Sequence, residues 1–416
     1  MHRLEGFPPA KYLFVFIRIL LNEGVAAVWK ASVRKLTVLL YRLRRPGETA
    51  ETNTRIAAHA GDPPIISCPL LDWNIPLFQR PQQIAIHLAK AGHLYYYCTV
   101  NRSCDSVWGY EELATGLYLT NRFHRLMASS GRHVLHIYST DLGVEWTLIE
   151  KELESGNVVL YEYIDEINPL IPRVPIPEWV FARHENILGE ERCVVIATAD
   201  KLYRNVLRHR SRNCALVTNG VDYEHFSRSF SQEDVPIGLR EIVAAGRPII
   251  GYFGALVSWF DYELVLAAAE ARPEYAIVLI GWDYDRSMDA YPLHDHANIH
   301  VLGPVPYTDL PRYACRFDVS TIPFRINEIT ESTSPIKLFE YMALGHPIVT
   351  TALPECRKYR SVLIGEDHAG YIDQLDQALS LRGDAAYAAT LRQEALENTW
   401  EAKAGIIGEL IRKNWR

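Results

Sequence analysis

The chain has 416 residues, 48% hydrophobic and 22% charged, with a formal net charge of −7. That length allows two domains with full-sized cores, and the ordinary balance excludes a disordered chain and a polytopic membrane protein. Its seven cysteines are scattered, odd in number and without a C-x-x-C pair, which argues against a disulfide frame or a zinc site and favours a reducing, cytoplasmic setting.

Charge is distributed unevenly. Residues 1–45 hold nine Lys and Arg side chains against only Glu5 and Glu23. Within them Tyr12 to Leu21 is apolar except for Arg18, a run too short to span a bilayer, which takes roughly 20 residues. Arg18 also breaks the pattern of a cleaved signal peptide, and no small-x-small site follows. After Gly24, Val25, Val28, Trp29, Val33, Leu36, Leu39, Leu40 and Leu43 recur at helical spacing, with Lys30, Arg34, Lys35 and Arg42 on or beside the polar face. Residues 1–50 are therefore expected to form basic amphipathic helices, with residues 1–45 meeting an anionic membrane surface. The alternative is a helix pair packed on the protein's own core. The polar run Arg45 to Pro64 reads as a linker.

Residues 51–235 read as a first βα domain. Strands are predicted at Ile65 to Leu70, Leu94 to Val100, Val134 to Tyr138, Val158 to Ile164, Val194 to Thr198 and Ala215 to Thr218. Pro81 opens a helix over Gln82 to Ala91, and Gly92 closes it. Asn219-Gly220-Val221-Asp222 is a turn, and Ser227 to Gly246 is the candidate linker between domains.

Residues 236–384 repeat the alternation, with strands at Pro248 to Ala255, Ala276 to Ile280, Ile299 to Leu302 and Val319 to Ile322, and a helix over Asp261 to Ala271. Residues 385–416 form a closing helical stretch. The fold class is α/β, with two Rossmann-like, doubly wound parallel-sheet domains facing a cleft.

The most informative segment runs from Ser332 to Val349. Ser332, Thr333, Ser334 and Pro335 offer helix-start chemistry, while Gly345 and Pro347 stop the helix and lead into a strand. Free N–H groups at such a start form an anion site, suited to a diphosphate. Lys337 adds positive charge in the first turn, and Glu340 lies one turn on, placed to accept hydrogen bonds from a ribose.

This segment, continued through Thr350, Thr351, Ala352, Leu353, Pro354 and Glu355, resembles the donor site of GT-B glycosyltransferases, most of all the large retaining family four, the glycosyl transferases group 1. Glu340 matches the second glutamate of that family's Glu-x7-Glu motif, which contacts the nucleotide ribose. The first glutamate of the motif falls on Ser332. Ser334-Pro335-Ile336-Lys337-Leu338-Phe339-Glu340-Tyr341 is similar to a branch that carries Ser-Pro-x-Lys-x-x-Glu-Tyr. Asn219-Gly220-Val221-Asp222 followed by Phe226 resembles the end of the family's first domain. In motif order, the likeness covers about residues 65 to 410.

The resemblance implies that the second domain holds the nucleotide sugar and the first the acceptor. Gly254 then sits by the diphosphate or sugar; Gly303, Pro304, Val305 and Pro306 border the base. Ser334, Pro335 and Lys337 receive the diphosphate. Many relatives carry an Arg and a Lys shortly after Gly254; here Leu256-Val257-Ser258-Trp259-Phe260-Asp261 supplies neither. Asp165 and Glu166, after the Val158 to Ile164 strand, lie where an acceptor enters, as orienting groups or a base. Asp72, Trp73, Gln79 and Arg80 are further acceptor-side candidates. The alternative is that Asp165 and Glu166 are solvated loop carboxylates and that Trp73 is packing. Asp283-Tyr284-Asp285 and His294-Asp295-His296 read as surface loops, so no metal is expected, nor any cofactor beyond the nucleoside-diphosphate sugar used as substrate.

The implied activity is hexosyl transfer from a nucleotide sugar to a lipid-linked or cell-surface glycan, at the inner face of the cell membrane, with no nucleic-acid partner. Two alternatives share the fold: a nucleotide-sugar epimerase, and a non-catalytic, degenerate transferase that acts as a membrane-bound assembly partner.

Overall fold

A computed structural model of the protein describes residues 62–171 and 175–415. The amphipathic helices expected over residues 1–50 lie outside the described residues. Among the described residues no helix is long and apolar enough to cross a membrane.

Two sheets organise the chain. The first comprises β1 (Ile65–Ser67), β2 (Tyr95–Cys98), β3 (Tyr110–Ala114), β4 (Leu117–Thr120), β5 (Val134–Tyr138), β6 (Val158–Tyr163), β7 (Cys193–Ala197) and β8 (Cys214–Leu216), in the spatial order β3-β4-β2-β1-β5-β6-β7-β8. Its pairs are parallel except β3 with β4. The second comprises β9 (Ile249–Phe253), β10 (Ala276–Ile280), β11 (Ile299–Gly303), β12 (Val319–Ile322), β13 (Ile348–Thr351) and β14 (Val362–Gly365), ordered β11-β10-β9-β12-β13-β14 and parallel throughout. The central strands are short continuous runs of Val, Ile, Leu and Tyr, buried on both faces, as parallel sheets covered by helices require. In each sheet the strand order reverses near the middle, around β1 and β5 and around β9 and β12. The crevice beyond the carboxyl ends at such a reversal is where open α/β sheets take ligands.

Three strands escape the sequence reading. β3 and β4 form an antiparallel edge hairpin, and β3 is half exposed, so it shows no continuous apolar run. β14 is a four-residue edge strand beside β13. The Ser227 to Gly246 linker carries helical turns at Ile237–Leu239 and Arg240–Ala244.

The closing stretch is two helices, Ala385–Glu397 and Trp400–Asn414. They separate at Asn398, and the Thr399 hydroxyl caps the second by accepting from the Ala402 N–H. The break lies against the first domain, where Val221 N–H donates to Asn398 O at 3.0 Å and Trp400 N–H to Val221 O at 3.0 Å. From there Trp400, Ala404, Ile407 and Ile411 enter the first domain's core, with Ile84, Leu88 and Val194. The last helix thus ties the chain's end to its first sheet. Trp400 is fully buried, so Trp400→Ala should cost about 3–5 kcal/mol, read as a lower midpoint of urea unfolding; a midpoint unchanged from the parent chain would remove this helix from the core.

Candidate functional site

The Ile336–Leu344 helix opens into the cleft directly after Pro335 and stops at Gly345, which adopts the left-handed conformation with φ 78°. The preceding hydroxyls do not cap it, contrary to the sequence expectation. Ser334 Oγ accepts from the Asn219 N–H at 3.2 Å, Ser332 Oγ donates to Glu166 Oε1 at 2.8 Å, and Thr333 Oγ1 donates to Ile329 O at 2.8 Å. The cap residue is Pro335, with no side-chain hydrogen bond, so the first-turn amides keep no side-chain acceptor.

Lys337 lies on this first turn, its ammonium held between two rings. Nζ is 5.3 Å from the Tyr252 centroid and 4.8 Å from that of Phe324. Among the described residues no carboxylate stands within ion-pair distance of it. Gly254, at the end of β9, makes room: a Cβ there would sit 2.7 Å from Lys337 Cε, and its φ of +140° already favours glycine. Gly281 in turn passes Gly254, since a Cβ at Gly281 would lie 1.8 Å from Gly254 O.

Burial pulls the Lys337 ammonium down to about 8, against the Glu340 charge that pushes it up. Burial pushes the Glu340 carboxyl up to about 8, opposed by Lys337. Burial drives each group toward its neutral form and each partner's charge opposes that, so the two titrate as a pair. A carboxyl shifted this way can donate a hydrogen bond as well as accept one.

Both groups line a cleft of about 290 Å³ between the two sheets. From the second domain Gly254, Val305, Ser334 and Pro335 share its wall; from the first come Gln79, Arg80 and Asp165. Gly303, with φ 74°, ends β11 and lies outside the wall, and its carbonyl accepts the Gly281 N–H at 2.9 Å. Ser332 is fully buried behind the wall. A glutamate at 332 would face Glu166 across the present hydrogen bond, two carboxylates in one place, so the serine and Glu166 are compatible where two acids would not be. Leu256 and Phe260, in the run where relatives carry basic residues, are core side chains with no exposure.

The acceptor-side candidates separate. Asp165 lines the cleft, its carboxyl pushed up to about 7 by burial and then by the Glu166 charge. Glu166 is engaged elsewhere: it accepts from Ser332 and from Tyr163 OH at 3.0 Å, with Lys201 Nζ at 3.8 Å. Asp72 stands away from the cleft wall and organises a loop, accepting the N–H groups of Arg102, Ser103 and Cys104 at 2.8 Å and of Asp105 at 3.2 Å. Burial pushes its carboxyl up, but these amides outweigh that and hold it below the usual range. Trp73 packs edge-on against Tyr97 and Phe78, at 5.0 and 5.7 Å, as core rather than as a free platform. Arg80 is 3% exposed and paired with Glu162 at 2.5 Å. Asp285, of the Asp-x-Asp run, accepts the N–H groups of Ser258 and Ser287.

The sequence reading missed Phe78 and Tyr307, and took Asn219 only as part of a turn resembling the end of the first domain. Phe78 stacks on Tyr307 at 5.0 Å and Tyr307 on His225 at 4.8 Å, and Gln83 Nε2 donates to Tyr307 OH at 2.8 Å. This aromatic pile bridges the domains at the Val305 end of the cleft. For these two the one local signal was Tyr307's place in the loop that follows a predicted strand.

Two doubly wound sheets facing a cleft, with a helix start and a lone ammonium at the strand reversal of the second, define the GT-B architecture. Residues 247–380 match the family described as Glycosyl transferases group 1, which bears out the resemblance to that family over the second domain. TuaH of Bacillus subtilis strain 168, named as a teichuronic acid biosynthesis glycosyltransferase, is 27% identical over 191 residues, 44% of this chain and 47% of TuaH. The chain thus matches about half the length of that relative. Among solved structures, sucrose-phosphate synthase of Thermosynechococcus elongatus superposes with a TM-score of 0.61 at 18% identity, over 85% of this chain and 99% of that one. Anabaena HepE in complex with UDP gives 0.62 at 13% identity, over 85% and 100%. These superpositions establish the fold.

The Lys337 charge sets a stability test. Its folded pKa lies below the unfolded value of 10.5, so the charged form burdens the folded state below about 8, and the burden shrinks as pH rises from there and is gone above 10.5. Lys337→Met should therefore stabilise the ligand-free protein at pH 7 by on the order of 1–3 kcal/mol, read as a higher melting temperature, with the gain gone near pH 11. A variant that melts lower at pH 7 contradicts an uncompensated ammonium.

Proposed function

We propose that the protein is a glycosyltransferase that moves a sugar from a nucleoside-diphosphate sugar to a lipid-linked or cell-surface glycan, with retention at the anomeric carbon. One observation carries the reading: a charged ammonium without a carboxylate partner and uncapped helix amides open together into the cleft, with Glu340 one turn further on. Sugar transfer builds negative charge on the departing diphosphate, and fixed donors placed there act most strongly on the transition state. Lys337 and the first-turn amides supply that field. Glu340, its carboxyl pushed up by burial, exchanges hydrogen bonds with the ribose hydroxyls, and Val305 with the Phe78–Tyr307 stack borders the base. The family match over residues 247–380 spans Gly254, Lys337 and Glu340 and supports the donor assignment. The name of TuaH supports a cell-envelope glycan as acceptor, and the basic, amphipathic sequence of residues 1–45 supports a site of action at the inner membrane face.

Asp165 faces the acceptor side of the cleft with a carboxyl that titrates at about 7. It orients the incoming hydroxyl and, once ionised, takes its proton. A base with a raised pKa gains its active form as pH rises, so turnover should climb between pH 6 and 8. Asp165→Asn should remove that limb and lower kcat by about 10²–10⁴-fold, with donor KM little changed. The assay is release of nucleoside diphosphate with a glycan acceptor across the pH range. A full-rate Asp165→Asn enzyme with the parent pH profile overturns this role, and no release from any sugar nucleotide overturns the activity.

A further inference from the structure

The donor reading leaves one buried polar chain unused, and it ends at the helix start. Tyr95 OH bonds His136 Nδ1 at 2.8 Å, and His136 Nε2 bonds Glu162 Oε1 at 2.8 Å. Glu162 Oε2 accepts from Arg80 Nε at 2.5 Å. Arg80 Nη1 donates to Thr218 O at 3.1 Å and Asn219 Oδ1 at 3.2 Å. Asn219 Nδ2 then donates across the domain boundary to Ser334 O at 2.6 Å, while its backbone N–H donates to Ser334 Oγ. Tyr95, His136 and Glu162 have no exposure, and Arg80 has 3%. Such a row of buried charge and amide is costly where a donor is left over, as at Arg80 Nη2, which has no hydrogen-bond partner among the described residues, and the bonds that are made fix its geometry.

The far side of Asn219 is fixed as well. A Cβ at Gly220 would lie 2.7 Å from Asn398 O, and Lys403 Nζ donates to Thr218 Oγ1 at 2.8 Å. The segment 218–221 is therefore held between the C-terminal crossover and the diphosphate helix. Ser334 O is the last carbonyl before Pro335, and a carbonyl oxygen turned toward a diphosphate would oppose its charge. The Asn219 carboxamide keeps that oxygen occupied.

We propose that Asn219, braced by Arg80, is a positioning residue that sets the start of the Ile336–Leu344 helix for a nucleoside diphosphate. The inference rests on the donor reading above and adds how the first domain shapes a site carried by the second. Arg80 acts through Asn219, so the two residues share one effect on affinity.

The test is calorimetric titration of the full chain with UDP, GDP and ADP, followed with whichever the parent chain binds most tightly. Asn219→Ala should weaken binding about tenfold, the scale of one lost hydrogen bond to a determined group, while the ligand-free melting temperature stays within a few degrees. Arg80→Lys should weaken binding likewise. The double variant should lose little more than either alone, since one chain of contacts is broken once. If Asn219→Ala does not fold, Asn219→Ser is titrated instead, with the same expectation. Parent-like affinity in the Asn219 variant, or additive losses in the double variant, overturns the positioning role with the donor site intact. Failure of the parent chain to bind any of the three overturns the donor reading, and the positioning role with it.

Discussion

An ammonium without a carboxylate is the constraint around which the second domain is arranged. Removing such a group from water costs several kcal/mol, whereas two ring faces return about 0.5–2 kcal/mol each. Tyr252 and Phe324 therefore soften the Lys337 charge without neutralising it. Glu340 makes no ion pair with it, and burial drives that carboxyl toward its protonated form. The surplus is stored where an anion completes it. Gly254 and Gly281 are dictated by the same arrangement, because side chains there would occupy the space of the lysine stem and of the β9 turn. On the proposed donor reading, stability given up in the empty protein becomes binding energy for a diphosphate.

Closure of the cleft depends on polar contacts that cross between the sheets. Ser332 meets Glu166, Asn219 meets Ser334, and Gln83 meets Tyr307. Lys201 adds an ion pair to Glu331 at 3.1 Å, and Lys358 one to Asp200 at 2.8 Å. Each is modest in energy, and the last two are partly exposed, where ion pairs contribute little. Their number and spread fix the relative placement of Asp165 and Lys337, which come from different sheets. The C-terminal crossover at Asn398 and Thr399 adds a backbone tie to the same region.

Much of this was legible in the sequence where the determinants are local. Val134 to Tyr138, Ala276 to Ile280 and Val319 to Ile322 coincide with strands because continuous apolar runs suit a sheet buried on both faces. The Ile336–Leu344 helix was bounded correctly by Pro335 and Gly345. What failed has long-range causes. The hydroxyls of Ser332 and Ser334 look like caps in sequence, but partners from the first domain recruit them instead. Arg80 reads as an acceptor-side loop residue, yet Glu162, on a central strand, draws it inside. Asp72 loses its freedom to the amides of a loop beginning at Arg102, a pairing no spacing rule marks. β3 was missed because an exposed edge strand lacks the apolar run that revealed the others.

The most direct measurement is a crystal structure of the full chain soaked with UDP or GDP. The account predicts a diphosphate between Gly254 and the first turn of the Ile336–Leu344 helix, with Lys337 Nζ within hydrogen-bond reach of a phosphate oxygen and the ribose against Glu340. A nucleotide bound elsewhere, or Lys337 still lodged between the two rings and apart from the phosphates, would contradict it.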